Sequence, residues 1–239
     1  MKRPADRLAE LAAEYELPGP AAKQLMVLLQ RVSAAPIALT AVRDVTAAVE
    51  VHVADSLAGL RVEALRSAGR IADLGSGGGF PGLVLAIALP DARVALVESV
   101  VKKAVFLRDT AAELGLADRV EVIPERAESW ADGLGAADVV TARALASLPV
   151  LLEYASPLLR EGGVLVAWKG ARSADEEADG EAAAAALAMS SPEAIELPPG
   201  AVRNADERHL YVSSKLGPTP HGYPRRPGMA RKRPRRASG

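Results

Sequence analysis

The stretch Ile71-Ala72-Asp73-Leu74-Gly75-Ser76-Gly77-Gly78-Gly79-Phe80-Pro81-Gly82-Leu83 constrains the fold of this chain more than any other. A short β-rich run, Ile71 to Leu74, feeds into closely spaced glycines and then into an apolar helical stretch that begins at Leu83. Glycine has no Cβ, so such a loop can turn tightly and bring backbone N–H groups close to a bound molecule. Strand, glycine loop and helix in that order form the nucleotide-binding turn of a doubly wound α/β sheet. Pro81 suits the first turn of the helix that follows.

The rest of the chain supports that architecture. From Arg70 onward, β-rich runs alternate with helical ones: Ile71 to Leu74, Val94 to Glu98, Val120 to Ile123, Asp138 to Thr141 and Val164 to Trp168. Alternation of this kind indicates a parallel sheet with helices on both faces. Ile195 to Leu197 and His209 to Ser213 are expected to close the sheet as a terminal hairpin, and the acidic, alanine-rich piece Ser173 to Met189 to form an exposed helical insertion. Two amphipathic stretches, 5–16 and 21–34, flank Pro18-Gly19-Pro20 at the start. A third, Asp44 to Leu60, places His52 and Ser56 on one face with Asp55 in the same turn. The reading is therefore α/β: a Rossmann-like doubly wound domain over residues 61–216, an N-terminal helical cap over 1–60, and a basic tail over 217–239. The tail is rich in Pro, Gly and Arg and is expected to be flexible.

A length of 239 residues suits one catalytic domain with small additions. The chain has no cysteine, which removes disulfides, zinc-thiolate sites, iron–sulfur clusters and thiol nucleophiles, and no metal is expected. Charges near the start sit where a secretory signal would need its apolar region, and Leu83 to Leu89 is far shorter than the roughly 20 residues that span a bilayer. A cytoplasmic location without membrane contact is expected. The net charge of −1 conceals an asymmetry, because nine Lys and Arg follow Glu207 with no Asp or Glu among them. Residues 1–207 therefore carry −10, and a basic end on an acidic body suggests a polyanionic partner.

Glu98 ends the second strand 23 residues after Gly75, about the interval at which a carboxylate accepts hydrogen bonds from a ribose diol. The loop's ligand is accordingly read as an adenosine derivative. Gly77-x-Gly79-x-x-Gly82 also satisfies the dinucleotide fingerprint, but Asp73 argues against that ligand. A carboxylate just before the loop would repel a pyrophosphate, whereas S-adenosylmethionine has no phosphate and carries an ammonium and a sulfonium. Asp73 could contact that ligand, tie down the loop's own N–H groups, or do both. S-adenosylmethionine is the expected cofactor, held by Asp73, Gly75, Gly77 and Glu98.

The fourth strand ends in Asp138-Val139-Val140-Thr141-Ala142-Arg143-Ala144-Leu145-Ala146-Ser147-Leu148, where a methyl acceptor would sit. The Asn or Asp followed by two prolines and an aromatic that usually holds an exocyclic amine is absent. Carbon-5 of a pyrimidine normally needs a cysteine nucleophile, which the chain lacks. A ring nitrogen such as guanine N7 presents a lone pair without a proton, so its methylation needs positioning and no general base. Arg143 suits that setting, whether it holds a phosphate, a guanine edge or the cofactor's carboxylate.

These residues resemble the small-subunit rRNA guanine-N7 methyltransferases, the glucose-inhibited division protein B family. The resemblance runs from about Leu39 to the basic C-terminus. It is carried by His52-x-x-Asp55-Ser56-Leu57, the glycine loop, Glu98-Ser99 with Lys102-Lys103 and Phe106-Leu107-Arg108, and Arg126-Ala127-Glu128. Arg143-Ala144-x-Ala146-Ser147-Leu148, Lys169-Gly170, Glu207-Arg208-His209-Leu210 and Tyr223-Pro224-Arg225-Arg226-Pro227-Gly228 complete it. The resemblance implies methyl transfer to N7 of a guanine in the 530 loop of 16S rRNA, within the small ribosomal subunit or its precursor. It implies cofactor contacts at Gly75, Phe80, Ala127, Glu128 and Arg143. The chain departs from the family at Val51, where Arg is common, and in the acidic stretch Ser173 to Met189.

His52 and Asp55 are candidates to position substrate together with Arg143, although a helix-borne histidine is often simply a satisfied core group. Lys169, Arg208, Arg225, Arg226, Arg231, Lys232 and Arg233 are the candidate RNA contacts. Lys102, Lys103 and Arg108 read as a solvated face, with RNA backbone contact as the alternative, while Phe106, Leu107 and Leu114 read as core. Aromatic residues are only 3% of the chain, so backbone contact and RNA shape are expected to outweigh base stacking. A small-molecule or protein methyltransferase would keep its activity without the basic tail. A non-catalytic RNA-binding assembly factor would bind RNA and no S-adenosylmethionine, and an NAD enzyme would bind nicotinamide.

Overall fold

A computed structural model describes residues 3–197 and 207–237. The cap begins with α1 (Pro4–Glu14) and α2 (Ala21–Ala34). Leu8, Leu11, Leu25, Leu28 and Leu29 recur at helical spacing, and all are buried on the face turned to the domain. The third cap segment opens with α3 (Val45–Ala48), where the Asp44 carboxylate accepts from Ala47 N at 2.8 Å. A π-helical turn, Val49–Ala54, leads into α4 (Asp55–Leu57), a 3-10 turn, Ala58–Arg61, and α5 (Glu63–Arg66). Helical periodicity over Asp44 to Leu60 does not reveal the π-turn, a widening often found at functional sites.

The domain continues with β1 (Arg70–Leu74), α6 (Gly82–Ala88), β2 (Arg93–Val97), α7 (Val101–Glu113), β3 (Val120–Ile123) and β4 (Ala137–Arg143). It ends with α8 (Leu148–Leu158), β5 (Leu159–Lys169), α9 (Ala174–Ala186), β6 (Glu193–Glu196), β7 (His209–Ser214) and α10 (Met229–Lys232). The seven strands lie in the order β3-β2-β1-β4-β5-β7-β6. β1 to β5 are parallel, and β7 runs antiparallel between β5 and β6, as the expected hairpin requires. The chain steps outward from β1 to β3 and then returns to place β4 on the other side of β1. That reversal opens a crevice at the carboxyl ends of β1 and β4.

Both faces of the central strands are covered, which is why Val139-Val140-Thr141-Ala142 and Val164 to Trp168 are nearly continuous apolar runs. One face packs against the cap and α6, and the other against α8 and α9. A Cβ on Gly82 would lie 2.3 Å from Leu96 Cδ2 and 2.6 Å from Asp73 Oδ2, so α6 can approach the sheet this closely only with glycine there. β5 starts five residues before the expected Val164, because Arg160-Glu161-Gly162-Gly163 has turn composition yet pairs through an irregularity opposite Ala137. Gly163 fits there because a Cβ would meet three backbone oxygens at 2.9–3.0 Å.

Two expectations are corrected. Ser173 to Met189 is not a surface decoration: α9 is the helix that carries the chain from β5 to β6. Gly180, Ala183, Ala184, Leu187 and Met189 are buried on its inner side, and Gly180 lets Leu148 of α8 come close. Ala183 and Ala184 pack inward, and Glu176, Glu177 and Asp179 bond to Lys169, Tyr211 and Ala237 N of the surrounding chain. Residues 217–237 are irregular apart from α10, but they are not a free arm. Arg225 forms a two-pronged ion pair with buried Glu153 of α8, Ala230 is buried against α8, and Ala237 N donates to Asp179 at 2.9 Å. Composition describes the backbone here and misses the buried carboxylate that anchors it. No helix among the described residues is long and apolar enough to cross a membrane.

Candidate cofactor and acceptor site

The glycine loop is held from both sides. Gly75 N donates to Val97 O at 2.8 Å, and Gly77 N donates to Glu98 Oε2 at 3.0 Å. The other Glu98 oxygen accepts from Val100 N at 2.7 Å. Glu98 therefore fixes the loop, and each oxygen keeps a lone pair for a further donor such as a ribose hydroxyl. Gly75 has φ +68°, and a Cβ on it would lie 2.7 Å from Leu145 Cδ1. This is a narrow cradle that side chains would fill.

Asp73 is completely buried. Its Oδ2 accepts from Gly82 N at 3.2 Å and its Oδ1 from Thr141 Oγ1 at 2.8 Å. Burial pushes its pKa up to about 6, with the Thr141, Ser76 and Gly82 hydrogen bonds pulling the other way. Asp73 thus ties the start of α6 and β4 to the loop, one of the two roles open to it. Thr141 escaped the sequence reading, although strand register alone brings it opposite Asp73.

Arg143, at the end of β4, is the centre of a second constellation. Its Nη1 donates to Val51 O and to Asp55 Oδ2, each at 2.8 Å, and its Nη2 lies 3.1 Å from His52 Nδ1. The π-turn of the cap supplies Val51 and His52, and the first residue of α4 supplies Asp55. Asp55 has 0% side-chain exposure, and Arg208 Nε approaches its other oxygen at 3.4 Å. His52 stacks on Phe80 with ring centroids 4.5 Å apart, and the Arg143 guanidinium lies 5.5 Å from the Phe80 centroid. The glycine loop, cap and β4 thus meet at Phe80.

Arginine has no acceptor, so His52 Nδ1 must accept, and the neutral ring then donates from Nε2 to Thr40 Oγ1 at 2.8 Å. Burial, with the Arg143 charge next, pushes the His52 pKa down to about 4. A histidine so depressed binds protons more readily unfolded than folded, so its contribution to stability falls as pH drops from about 6.5 toward 4. Asp73, with its raised pKa, has the opposite slope over much of the same window. The comparison that isolates His52 is wild type against His52→Gln. Urea unfolding should show the wild-type advantage shrinking by about 2 kcal/mol from pH 7 to pH 5. A constant difference would mean that His52 titrates normally.

A cleft of about 400 Å³ opens at the carboxyl ends of β1 to β3. Ala127 and Glu128 line it after β3, with Gly75 and Leu145 across from them. The Glu128 carboxylate accepts from Gly228 N of the tail at 2.8 Å, so it anchors the C-terminus as well as bordering the cleft. Among the candidate RNA residues, Arg226, Arg231, Lys232 and Arg233 are exposed, and Arg208 is half-buried beside Asp55. Two others are already committed. Lys169 pairs with Glu176 at 2.6 Å, and Arg225 is bound to Glu153, so both serve as structural ties. Glu153 and Tyr154 were not singled out in the sequence, since residues buried within a helical run carry no local signal of a site.

Narrow glycine cradle, loop-fixing Glu98 and nearby carboxylates suit an adenosine derivative with a cationic amino-acid end better than a diphosphate. Among the described residues, no group of three or more His, Asp or Glu is arranged to hold a metal ion. The S-adenosylmethionine-dependent methyltransferase SibL superposes with a TM-score of 0.59 at 17% identity, covering 83% of this chain and 70% of that one. A SAM-dependent O-methyltransferase from Thermotoga maritima gives 0.52 at 18% identity, covering 70% and 66%. At those identities the likeness concerns the fold. Fold and site together define a methyltransferase of the doubly wound class, with S-adenosylmethionine as its cofactor.

Residues 20–201 match the family described as GidB, rRNA small subunit methyltransferase G. The ribosomal RNA small subunit methyltransferase G of Rubrobacter xylanophilus is 46% identical over 192 residues, covering 79% of this chain and 73% of that protein. The protein of the same name from Deinococcus radiodurans is 44% identical over 202 residues, covering 82% and 78%. This chain belongs to the rRNA small subunit methyltransferase G family.

Proposed function

We infer that this chain methylates N7 of a guanine in the 530 loop of 16S rRNA. The observation that carries this reading is the engagement of His52 and Asp55, the two titratable groups that touch Arg143. His52 uses both ring nitrogens, and Asp55 is buried between Arg143 and Arg208. Neither is poised to remove a proton, and N7 of guanine has none to lose. S-adenosylmethionine supplies the methyl group as an electrophile on a sulfonium. The N7 lone pair forms the new N–CH₃ bond as the S–CH₃ bond breaks, leaving neutral S-adenosylhomocysteine and a positively charged methylated ring. No base is consumed, and the chain's contribution is in-line placement of the two partners. Arg143 donates to the Asp55 carboxylate and the Val51 carbonyl, so its guanidinium is not free to stack on a ring that becomes cationic. Arg208, Arg226, Lys232 and Arg233 offer charge to the RNA backbone, the substrate side that the family name implies.

An RNA substrate in which the target guanosine is replaced by 7-deazaguanosine tests the acceptor atom. That RNA should bind like the natural one and accept no methyl group. Transfer at the natural rate would move the acceptor to another atom of the base or ribose.

A further inference from the structure

We propose that the C-terminal segment forms a wall of the cofactor cleft, with Arg231 lying over the adenine end and Arg225 holding it there. The proposal rests on the cofactor assignment made above. Most of the cleft lining comes from loops at the carboxyl ends of the strands and from Tyr154 of α8, whereas Arg231 arrives from the tail. Its guanidinium is fixed: Nη2 donates to Leu145 O at 2.8 Å, and the Tyr154 hydroxyl lies beside it. Leu145 is the residue that packs into the space where a Cβ of Gly75 would sit, so Arg231 braces the cradle from outside.

The segment carrying Arg231 is seated at three further points. Gly228 N donates to Glu128 Oε1 at 2.8 Å, Ala230 is 1% exposed, and Arg225 grips both oxygens of Glu153, whose side chain is 3% exposed. A buried carboxylate left without its partner is costly, so the Glu153–Arg225 pair keeps the tail in place. Ala127 and Glu128, after β3, are placed to meet the adenine, whose edge a backbone N–H and a carboxylate could read, and the Gly228 contact to Glu128 brings this segment within reach of it. A planar, weakly hydrated guanidinium is a stacking partner for the face of a purine. Arg231 is exposed on its solvent side, and its replacement removes its contacts to Leu145 O and Tyr154.

Calorimetric binding of S-adenosylhomocysteine and of 5′-methylthioadenosine, which lacks the amino-acid end, tests the assignment. Arg231→Ala should weaken both ligands by the same factor, roughly three- to thirtyfold. Arg225→Ala should weaken them similarly although Arg225 is outside the cleft. The double variant should lose no more than the larger single loss, because Arg225 acts through Arg231. Bound S-adenosylhomocysteine should also slow tryptic cleavage after Arg231 and Lys232. If wild type binds S-adenosylhomocysteine and Arg231→Ala binds it equally well, the tail is no part of the site and the cofactor assignment stands. If wild type binds neither ligand, the cofactor assignment fails and this proposal with it.

Discussion

Arg143→Lys is expected to retain the fold and the positive charge yet lose roughly 100-fold or more in methyl transfer. The reason is geometric. Arg143 spans Val51 O, Asp55 Oδ2 and His52 Nδ1 at 2.8–3.1 Å with one planar group, and a lysine ammonium cannot reach all three. Those contacts set the distance between the cap and the end of β4, and with it the placement of Phe80 and the acceptor. Arg143→Ala should be worse on both counts. It leaves Asp55, buried at 0% exposure, facing only Arg208, a loss of about 3–5 kcal/mol in stability by the general cost of breaking a buried pair. Steady-state kinetics with thermal unfolding separates the two effects. Wild-type turnover by Arg143→Lys would show that charge alone suffices at this position and would remove the geometric account.

Asp73→Ala should weaken S-adenosylhomocysteine binding by at least tenfold and lower stability, whereas Asp73→Asn should bind almost as well as wild type. Alanine leaves the buried Gly82 N and the Thr141 hydroxyl without a partner, at about 1–3 kcal/mol each. It also removes the side chain against which Gly82 packs. Asparagine can accept from Gly82 N with its carbonyl and donate to Thr141 Oγ1 with its amide, and it removes a carboxylate whose burial has raised its pKa to about 6. If Asp73 instead acted through its charge on the cofactor's ammonium, both variants would lose affinity alike. Equilibrium binding of the two variants decides between these roles.

The sheet and its glycine loop could be read from the sequence because their physics is local. A buried parallel strand must be apolar along its length, a close approach must be glycine, and both leave marks within a few residues, as at Val139 to Ala142 and Gly75 to Gly82. Glu98 could be found by counting from Gly75. What local pattern could not supply were pairings across the fold. Asp73 with Thr141, Arg143 with the π-turn, Lys169 with Glu176 and Arg225 with Glu153 each join residues that sequence presents as unrelated charges or hydroxyls. The tail shows the consequence: a Pro, Gly and Arg composition describes an irregular backbone, but Glu153, inside an otherwise apolar helix, decides that it is seated. The alanines of α9 misled in the same way, since alanine suits an exposed helix and a close helix contact equally well.

The most direct measurement is transfer of labelled methyl from S-adenosylmethionine to small ribosomal subunits, or their naked rRNA, lacking this modification. The RNA is digested and the labelled nucleoside identified by mass spectrometry. The account predicts a single labelled product, 7-methylguanosine, mapping to the 530 loop. Label recovered in another nucleoside or another region, or no label on either substrate despite measurable cofactor binding, would contradict it.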